Sequence, residues 1–253
     1  MKKQSKCIAA FILLAALMLS FAGCKAQLSD KREGFEGAGY ESAEKAAKAY
    51  AEAFLAADVD AMIATFAVET FVEGYDLDEY IQFRKYYNYI YAECAFENSG
   101  EFQTAVNYYS RVGDLVNDFK QQYFYLVLDE SPSGSMETVV NWEEAEIAQF
   151  VDVISDPSFE EKMSKASIHD LLTPEMLEGV DMAVYERNHS QYGHLTCEEI
   201  TSYAIELDFD GEEYYLFVDV GCYDGVWYNI SINSILGVSA GAENGFSIMH
   251  RAD

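Results

Sequence analysis

The spacing of apolar residues predicts a series of helices in the first two-thirds of the chain. Between Ser42 and about residue 195, apolar positions recur every three or four residues, which is the period of an amphipathic helix. Ser42, Asp58 and Asp76 each precede such a run and are predicted N-caps, because their side-chain oxygens accept hydrogen bonds from the free N–H groups of a first turn. Further helices are predicted at 101–128 and 141–154, after Asp156 and after Thr173.

After about Leu195 the apolar period changes from 3.6 to two, which is typical of strands with one buried face. Strands are predicted near 197–209, 213–222 and 226–235. The predicted fold class is therefore α+β, with a helical N-terminal two-thirds packed on a C-terminal three-stranded antiparallel meander that has one covered face.

Two short turns set the register of this meander. A two-residue turn of Asp210 and Gly211 places Leu207 opposite Tyr214, so the apolar residues of both strands share one face. A second turn of the same length would put Asn229 on that apolar face. We therefore expect a three-residue loop at 223–225, which turns Asn229 away from the core.

The first 24 residues have the pattern of an export signal. A basic start is followed by about a dozen apolar residues, too few to span a bilayer as a helix, and then by small residues before Cys24. A plain secretory signal would be cleaved near Ala22. The segment also resembles bacterial lipoprotein signals. This resemblance implies cleavage before Cys24, a diacylglycerol on its sulfur, and anchoring to the extracytoplasmic face of the cell membrane.

Changes in composition along the chain predict its organisation. Residues 1–23 are predicted to be the lipoprotein signal peptide. Residues 24–40 are polar, contain three glycines and show no period, so they are predicted to form a lipidated tether. Residues 41–236 carry the periodic segments and are predicted to form a single α+β domain. Residues 237–253 again contain three glycines without a period, which predicts a flexible tail.

Composition limits the classes of function. The chain of 253 residues has 44 Asp or Glu and 16 Lys or Arg, a formal net charge of −28, and so negative a surface repels the phosphates of nucleic acids. Hydrophobic residues make up 50%, which excludes a disordered chain. After the signal and Cys24, three cysteines remain, and an odd number does not pair fully within one chain. These are Cys94, Cys197 and Cys222, with no CxxC spacing.

Parts of the sequence resemble known families. Residues 41–66 look like the opening helix pair of nuclear-transport-factor-like, or SnoaL-like, domains, and residues 224–228 resemble the last hairpin of such domains. That resemblance implies two helices leaning on a curved sheet, which together form a cone with a pocket. Through residues 65–77 and the closing strands, the chain also resembles uncharacterised lipoproteins of gut clostridia, a family that implies no established activity.

The resemblance to SnoaL-like domains implies a ligand pocket on the sheet face that carries Tyr203, Tyr214 and Tyr228. Enzymes with this cone-shaped fold often use an acid in the pocket, yet this face carries no pair of Asp and His, which argues against catalysis. Asp219 is predicted to lie on the second face beside Tyr215, where a carboxylate among aromatic rings is either exposed or functional.

Other patterns carry weaker chemical signals. Residues 237–241 match the GxSxG spacing of a hydrolase nucleophile elbow, but few residues follow to supply an acid and a histidine, and a Gly/Ser-rich tail is the alternative. His189, His194 and Cys197 are zinc-ligand types whose spacing fits no familiar site and instead favours loop histidines. Carboxylates within 58–79 suit calcium but lack the order of an EF-hand. We therefore predict no metal site and no cofactor.

These observations favour a membrane-anchored extracytoplasmic lipoprotein that acts as a binding or interaction module for a small ligand or an envelope partner. The alternative is an enzyme with a SnoaL-like pocket that uses a carboxylate for acid–base chemistry. A third hypothesis is an envelope assembly role without a pocket, which a filled core and a large exposed apolar patch would favour.

Overall fold

The structure, a computed structural model, describes residues 34–84, 100–128, 143–189, 192, 195–242 and 248–251. The helices in these residues are α1 (Ala43–Leu55), α2 (Val59–Ala64), α3 (Glu69–Glu73), α4 (Leu77–Arg84), α5 (Glu101–Leu128), α6 (Glu144–Ile154), α7 (Ser158–Lys165), α8 (Met182–His189) and α9 (Ile235–Ala240). The strands are β1 (Ser167–Leu172), β2 (Glu199–Phe209), β3 (Glu212–Tyr223), β4 (Val226–Ser231) and β5 (Ile248–His250). The predicted α+β class is confirmed: helices dominate the N-terminal part, and the C-terminal part forms an antiparallel sheet that is not closed into a barrel.

Side chains that cap the helices account for several of their start points. Ser42 and Asp58 each accept a hydrogen bond from the backbone N–H three residues further along, at 3.3 and 3.0 Å. Asp76 does the same at 3.0 Å, where α4 begins. Asp156 accepts from both the N–H and the hydroxyl of Ser158, at 2.9 and 2.6 Å, where α7 begins. These predicted helix starts are confirmed.

The sheet has the order β1-β2-β3-β4, and β5 pairs with the first part of β3. Strands β2 and β3 form the predicted hairpin, in which Leu207 lies opposite Tyr214. The turn residues Asp210 and Gly211 have φ angles of 56° and 90°. Positive φ at both positions is what a two-residue turn of this kind requires. The predicted first turn and its register are confirmed.

The second turn differs from the predicted three-residue loop. Tyr223 lies opposite Val226, so the turn has two residues, and Asn229 lies on the core side with 0% of its surface exposed. Its Nδ2 donates to the carbonyl oxygens of Ala46 and Thr65, at 2.9 and 3.2 Å. The prediction is wrong because it treated Asn229 as a surface residue, whereas carbonyl groups of the helical layer bind its amide.

A β-bulge follows Asn229. Neighbouring residues of β3 face Asn229 and Ser231, which leaves Ile230 without an opposite residue. An extra residue of this kind reverses which side of the sheet the following residues face. Accordingly, Ile232 packs in the main core beneath the helices, whereas Ile230 belongs to a separate apolar cluster. Because of the bulge, Asn229 and Ile232 are both buried on the core side of the sheet, although they lie three residues apart.

The face of the sheet that carries Ile205 and Leu216 is covered by α1, α2 and α5. Tyr50 of α1 has 0% of its surface exposed, and its ring centroid lies 5.3 Å from that of Phe66 and 6.0 Å from that of Phe119. Burial of an aromatic side chain of this size contributes about 2–3 kcal/mol. Core side chains thus fill the space between these helices and the sheet.

The second face of the sheet is also covered, which corrects the prediction of one covered face. Helix α9 packs on β2 and β3, and α8 packs on α9. Tyr185 and Leu236 from these helices form an apolar cluster with Ala204 and Phe217 of the sheet. The prediction is wrong because the polar side chains on this face are not in contact with solvent but form a buried hydrogen-bond network.

Residues 35–40 were expected to belong to the tether, but they are built into the folded unit. Tyr40 exchanges two backbone hydrogen bonds with Trp227, both of 2.9 Å. Gly39 has a φ of +71°, and a Cβ at this position would lie 2.3 Å from a side-chain carbon of β4. Glycine is therefore needed at this position because the backbone approaches β4 closely, and not because the chain must be flexible. The compact unit begins at Phe35 and carries its own apolar clusters.

Strands β1 and β5 are absent from the sequence prediction. A bulge between Ile168 and Leu171 breaks the alternation of β1, so the period-two signal is lost. Strand β5 and the end of α9 lie within the segment predicted as a flexible tail, and β5 pairs with β3. Thr173 accepts a hydrogen bond in a turn instead of starting a helix. The predicted cap Asn141 lies outside the described residues.

Candidate functional site

An open cleft lies where the end of β2 meets α5, α6 and α7, and we name it the hairpin cleft. Its volume is about 930 Å³, which is within the range of small-molecule sites. Two smaller hollows adjoin it and share part of its lining. The hairpin cleft is lined by Leu126, Val127, Ala145, Ala148, Asp152, Ser155, Asp156, Pro157, Phe159, Lys162 and Phe209.

Aromatic rings from different elements form the floor of the hairpin cleft. The ring of Phe159 on α7 packs edge-on against Tyr123 on α5, with 5.9 Å between centroids, and lies 5.8 Å from the ring of Phe209 on β2. Phe209 in turn packs edge-on against Tyr214 of the main core, at 6.4 Å. The core therefore fixes the position of the floor, and its apolar surface suits the apolar part of a ligand.

Charged side chains surround the hairpin cleft and its hollows. The Nζ of Lys162 lies 2.7 Å from the Oδ2 of Asp210, and hydrogen bonding to this carboxylate raises the pKa of Lys162. The Nζ of Lys165 lies 2.6 Å from the Oε1 of Glu161. Four more carboxylates line these cavities: Asp152, Asp156, Glu160 and Asp208. Six carboxylates and two ammonium groups give this rim a formal net charge of −4.

The structure does not bring together the tyrosines of the predicted ligand pocket. Tyr203 and Tyr214 lie on the face of the sheet that α1, α2 and α5 cover, with 7% and 4% of their surfaces exposed. Tyr228 belongs to a separate apolar cluster with Ile230. Tyr214 does not line the hairpin cleft, but it packs against Phe209, which does. The predicted binding role of these tyrosines stays a prediction.

Asp219 is the centre of a buried polar network. Its Oδ1 accepts hydrogen bonds from the hydroxyls of Ser202 and Ser234, both at 2.6 Å. Its Oδ2 accepts from the hydroxyl of Tyr192 at 2.8 Å and from the backbone N–H of Ile235 at 3.1 Å. Burial raises the pKa of Asp219, and these hydrogen bonds oppose the shift. Because the protein itself supplies four donors, the carboxylate fixes α9 to the sheet.

The GxSxG spacing at 237–241 does not form a nucleophile elbow. Ser239 lies in the last turn of α9, with 6% of its surface exposed. Its hydroxyl donates to the carbonyl oxygen of Ile235 at 2.7 Å. A nucleophile elbow holds its serine on a sharp turn between a strand and a helix. The helical position of Ser239 therefore rules out that role.

The histidines and cysteines of the predicted loop are engaged in local contacts. The Nε2 of His189 lies 2.9 Å from the carbonyl oxygen of Ile200, and His194 lies outside the described residues. Cys197 and Cys222 are free thiols, and burial raises the pKa of Cys197 to about 11. Cys94 also lies outside the described residues. Within the part of the chain that the structure describes, no group of three or more His, Cys, Asp or Glu is placed to hold a metal ion.

Helix α5 exposes an apolar stripe between Phe102 and Val116. Its members share one side of the helix at spacings of three, four and seven residues: Phe102, Val106, Tyr109 and Val116. Phe102 is 84% exposed and Tyr109 is 64% exposed. Residues 102–110 contain no charged side chain. No helix in the described ranges is long and apolar enough to cross a membrane.

Sequence reasoning did not identify the hairpin cleft. Its floor combines Leu126, Phe159 and Phe209, which lie in segments predicted separately and far apart in the chain. One local signal was visible, since Asp156 was predicted to start a helix and α7 carries Phe159. The packing of α5 and α7 against the end of β2 has no sequence signature of its own, because it depends on long-range contacts.

Comparisons with known proteins give one distant structural similarity. No protein-family model matches the sequence. No curated protein sequence is significantly similar to it. Among solved structures, the chain is similar to a cystatin-like protein from Ruminococcus gnavus, with a TM-score of 0.43 and 12% sequence identity. The match covers 82% of this chain and 44% of that one, so this chain spans less than half the length of that protein.

Proposed function

We propose that this protein is an extracytoplasmic binding module that holds a small amphipathic ligand in the hairpin cleft. The observation that carries the proposal is the combination of an aromatic floor and a charged rim around a cleft of about 930 Å³. Apolar surface removed from water contributes about 25 cal/mol per Å², so a ligand gains most of its affinity from the floor. The charged rim then orients its polar end.

A lipid anchor at Cys24 is the second part of the proposal. It is supported by the resemblance of residues 1–24 to lipoprotein signals. The compact unit begins at Phe35, so the ten residues 25–34 separate it from Cys24 in the sequence. Ten residues reach at most about 33–36 Å when fully extended. Metabolic labelling with an alkynyl fatty acid tests the anchor, and we expect the label to disappear in Cys24→Ala.

Fluorescence of the neutral apolar dye Nile red tests the binding site. The protein used is the chain from Lys25 onward, which contains the whole compact unit. We expect dye binding that Ala148→Trp abolishes, because the indole occupies the cleft that Ala148 lines. Ser110→Trp places the same side chain on an exposed part of α5 and is the matched control. Dye fluorescence that both variants leave unchanged would contradict the site.

A second candidate function is docking of an envelope protein on α5. The exposed apolar stripe favours it, because contiguous apolar surface often marks an interaction site. A photo-crosslinking residue at Val106 in whole cells is expected to yield one discrete adduct that Tyr109→Ser removes. The same residue at Asp60, on the exposed side of α2, is the control. Adducts of equal yield at both positions would count against a specific partner.

The alternative of an acid–base enzyme has less support. Burial raises the pKa of Asp219, but four protein donors surround this carboxylate. It is not part of the lining of the hairpin cleft or of the two hollows. A general acid or base must come within hydrogen-bond reach of its substrate. A binding module does not need a carboxylate within hydrogen-bond reach of a reacting atom.

A further inference from the structure

The rim of the hairpin cleft combines negative charge with an aromatic floor in one cavity. Asp152, Asp156 and Phe159 all line it, so a ligand whose apolar part contacts Phe159 brings its polar end close to carboxylates. From this arrangement we infer that the hairpin cleft binds a cationic amphiphile, that is, an apolar molecule with one protonated amine. The inference rests on the proposed ligand-binding function and names the class of ligand.

The lysines of the rim do not favour an anionic ligand, because a carboxylate already holds each of them. Lys162 lies 2.7 Å from Asp210, and Lys165 lies 2.6 Å from Glu161. An anionic head group would have to displace Asp210 from Lys162 and would then remain close to other carboxylates. A protonated amine adds an opposite charge to the rim and leaves both ion pairs in place.

Asp156 offers a fixed negative charge at the cleft. Ser158 donates its N–H to Oδ1 at 2.9 Å and its hydroxyl to Oδ2 at 2.6 Å, and these hydrogen bonds lower the pKa of Asp156. Each carboxylate oxygen accepts more than one hydrogen bond, so an ammonium group can still donate to Asp156. The ring of Phe159 adds a further attraction, since aromatic faces bind cations.

Binding of three eight-carbon compounds tests the inference. Octylammonium, 1-octanol and octanoate share one apolar chain and differ in charge. Calorimetry of the chain from Lys25 onward at pH 7 and low salt is expected to show octylammonium binding about tenfold more tightly than octanoate, with 1-octanol between them. The ratio should fall in 0.5 M salt, because salt screens charges at the surface.

Charge-neutralising variants separate two contributions to the binding of a cation. One comes from the carboxylates of the cleft, and the other comes from the net charge of the whole chain, −28, which attracts any cation. The double variant Asp152→Asn with Asp156→Asn should reduce the preference for octylammonium to about threefold or less. Asp152→Asn alone, which leaves the cap of α7 intact, should reduce it partly. Asp60→Asn neutralises an exposed carboxylate outside the cleft and should leave the preference unchanged.

The outcomes distinguish this inference from the proposed function. Similar affinities for all three compounds, together with Nile red binding that Ala148→Trp abolishes, would overturn the cationic class and retain the binding site. A preference for octylammonium that survives the double variant would also overturn the inference, because the selectivity would arise elsewhere. Absence of binding by the three compounds and by Nile red would overturn the proposed function itself.

Discussion

Asp219 and the carboxylates of the hairpin cleft are the same chemical group in opposite surroundings. Asp219 has 0% of its surface exposed and accepts four hydrogen bonds from the protein. Asp152 and Asp156 lie at the exposed edge of a cavity with an aromatic floor. The comparison teaches that enclosure decides the role of a carboxylate: the first holds the fold together, and the others remain exposed at the edge of the cleft.

The largest expected effect comes from removing the enclosed carboxylate. Asp219→Ala leaves the buried hydroxyls of Ser202, Ser234 and Tyr192 without their acceptor. Each buried polar group left without a partner costs about 1–3 kcal/mol, so the free energy of unfolding should fall by roughly 3 kcal/mol or more. Urea unfolding followed by circular dichroism measures this change.

The matched control for that variant is Asp60→Ala. Asp60 is exposed in the first turn of α2, and its loss should cost less than about 1 kcal/mol. If Asp219→Ala proved as mild as Asp60→Ala, the network would not hold α9 to the sheet, and the contrast with the cleft would fail.

Removing an aromatic ring from the cleft should affect binding more than folding. Phe159 is half-buried and packs against Tyr123 and Phe209. Phe159→Ala should therefore lower the free energy of unfolding by about 1–2 kcal/mol and abolish Nile red binding. Phe102→Ala, at a position that is 84% exposed, is the control and should change neither quantity. Full dye binding by Phe159→Ala would show that the ring is not part of a binding floor.

The elements that could be predicted from the sequence are those that local interactions determine. The caps at Ser42 and Asp58 act within three residues, and the turn at Asp210 needs only positive φ and the matching strand pattern. The turn before β4 could not be predicted, because the Nδ2 group of the buried Asn229 donates to carbonyl groups of α1 and of the end of α2. Those partners precede it by 183 and 164 residues.

The candidate site shows the same limit of sequence reasoning. The sequence marks Asp219 as unusual, and alternation alone predicts its place on the second face of the sheet. Its enclosure depends on Tyr192 and on the start of α9, which lies where the apolar alternation predicted the end of a strand. The hairpin cleft depends on the packing of α5 and α7 against the end of β2. Both features arise from long-range tertiary contacts, which local sequence preferences alone do not determine.

The pH dependence of stability sharpens the contrast between the two kinds of carboxylate. Burial raises the pKa of Asp219 above its usual value of 3.8, so the folded state binds this proton more tightly than the unfolded state. The stability from this group is complete below pH 3.8 and is lost as the pH rises through the raised pKa. Urea unfolding from pH 7 to pH 4 should therefore show the wild-type protein gaining stability relative to Asp219→Asn. A constant difference would contradict the enclosed state of Asp219.

Lys162→Met should have the smallest effect on stability, and it tests directly how the charge of the rim affects binding. The ion pair of Lys162 with Asp210 is exposed, and pairs of this kind contribute about 0–1 kcal/mol. Removing the ammonium group changes the rim from −4 to −5, so octylammonium should bind about two- to threefold more tightly. Lys48→Met, which removes an exposed ion pair on α1, alters the net charge equally and should leave the affinity unchanged. Weaker binding of octylammonium by Lys162→Met would mean that the lysine stem, and not the rim charge, governs the cleft.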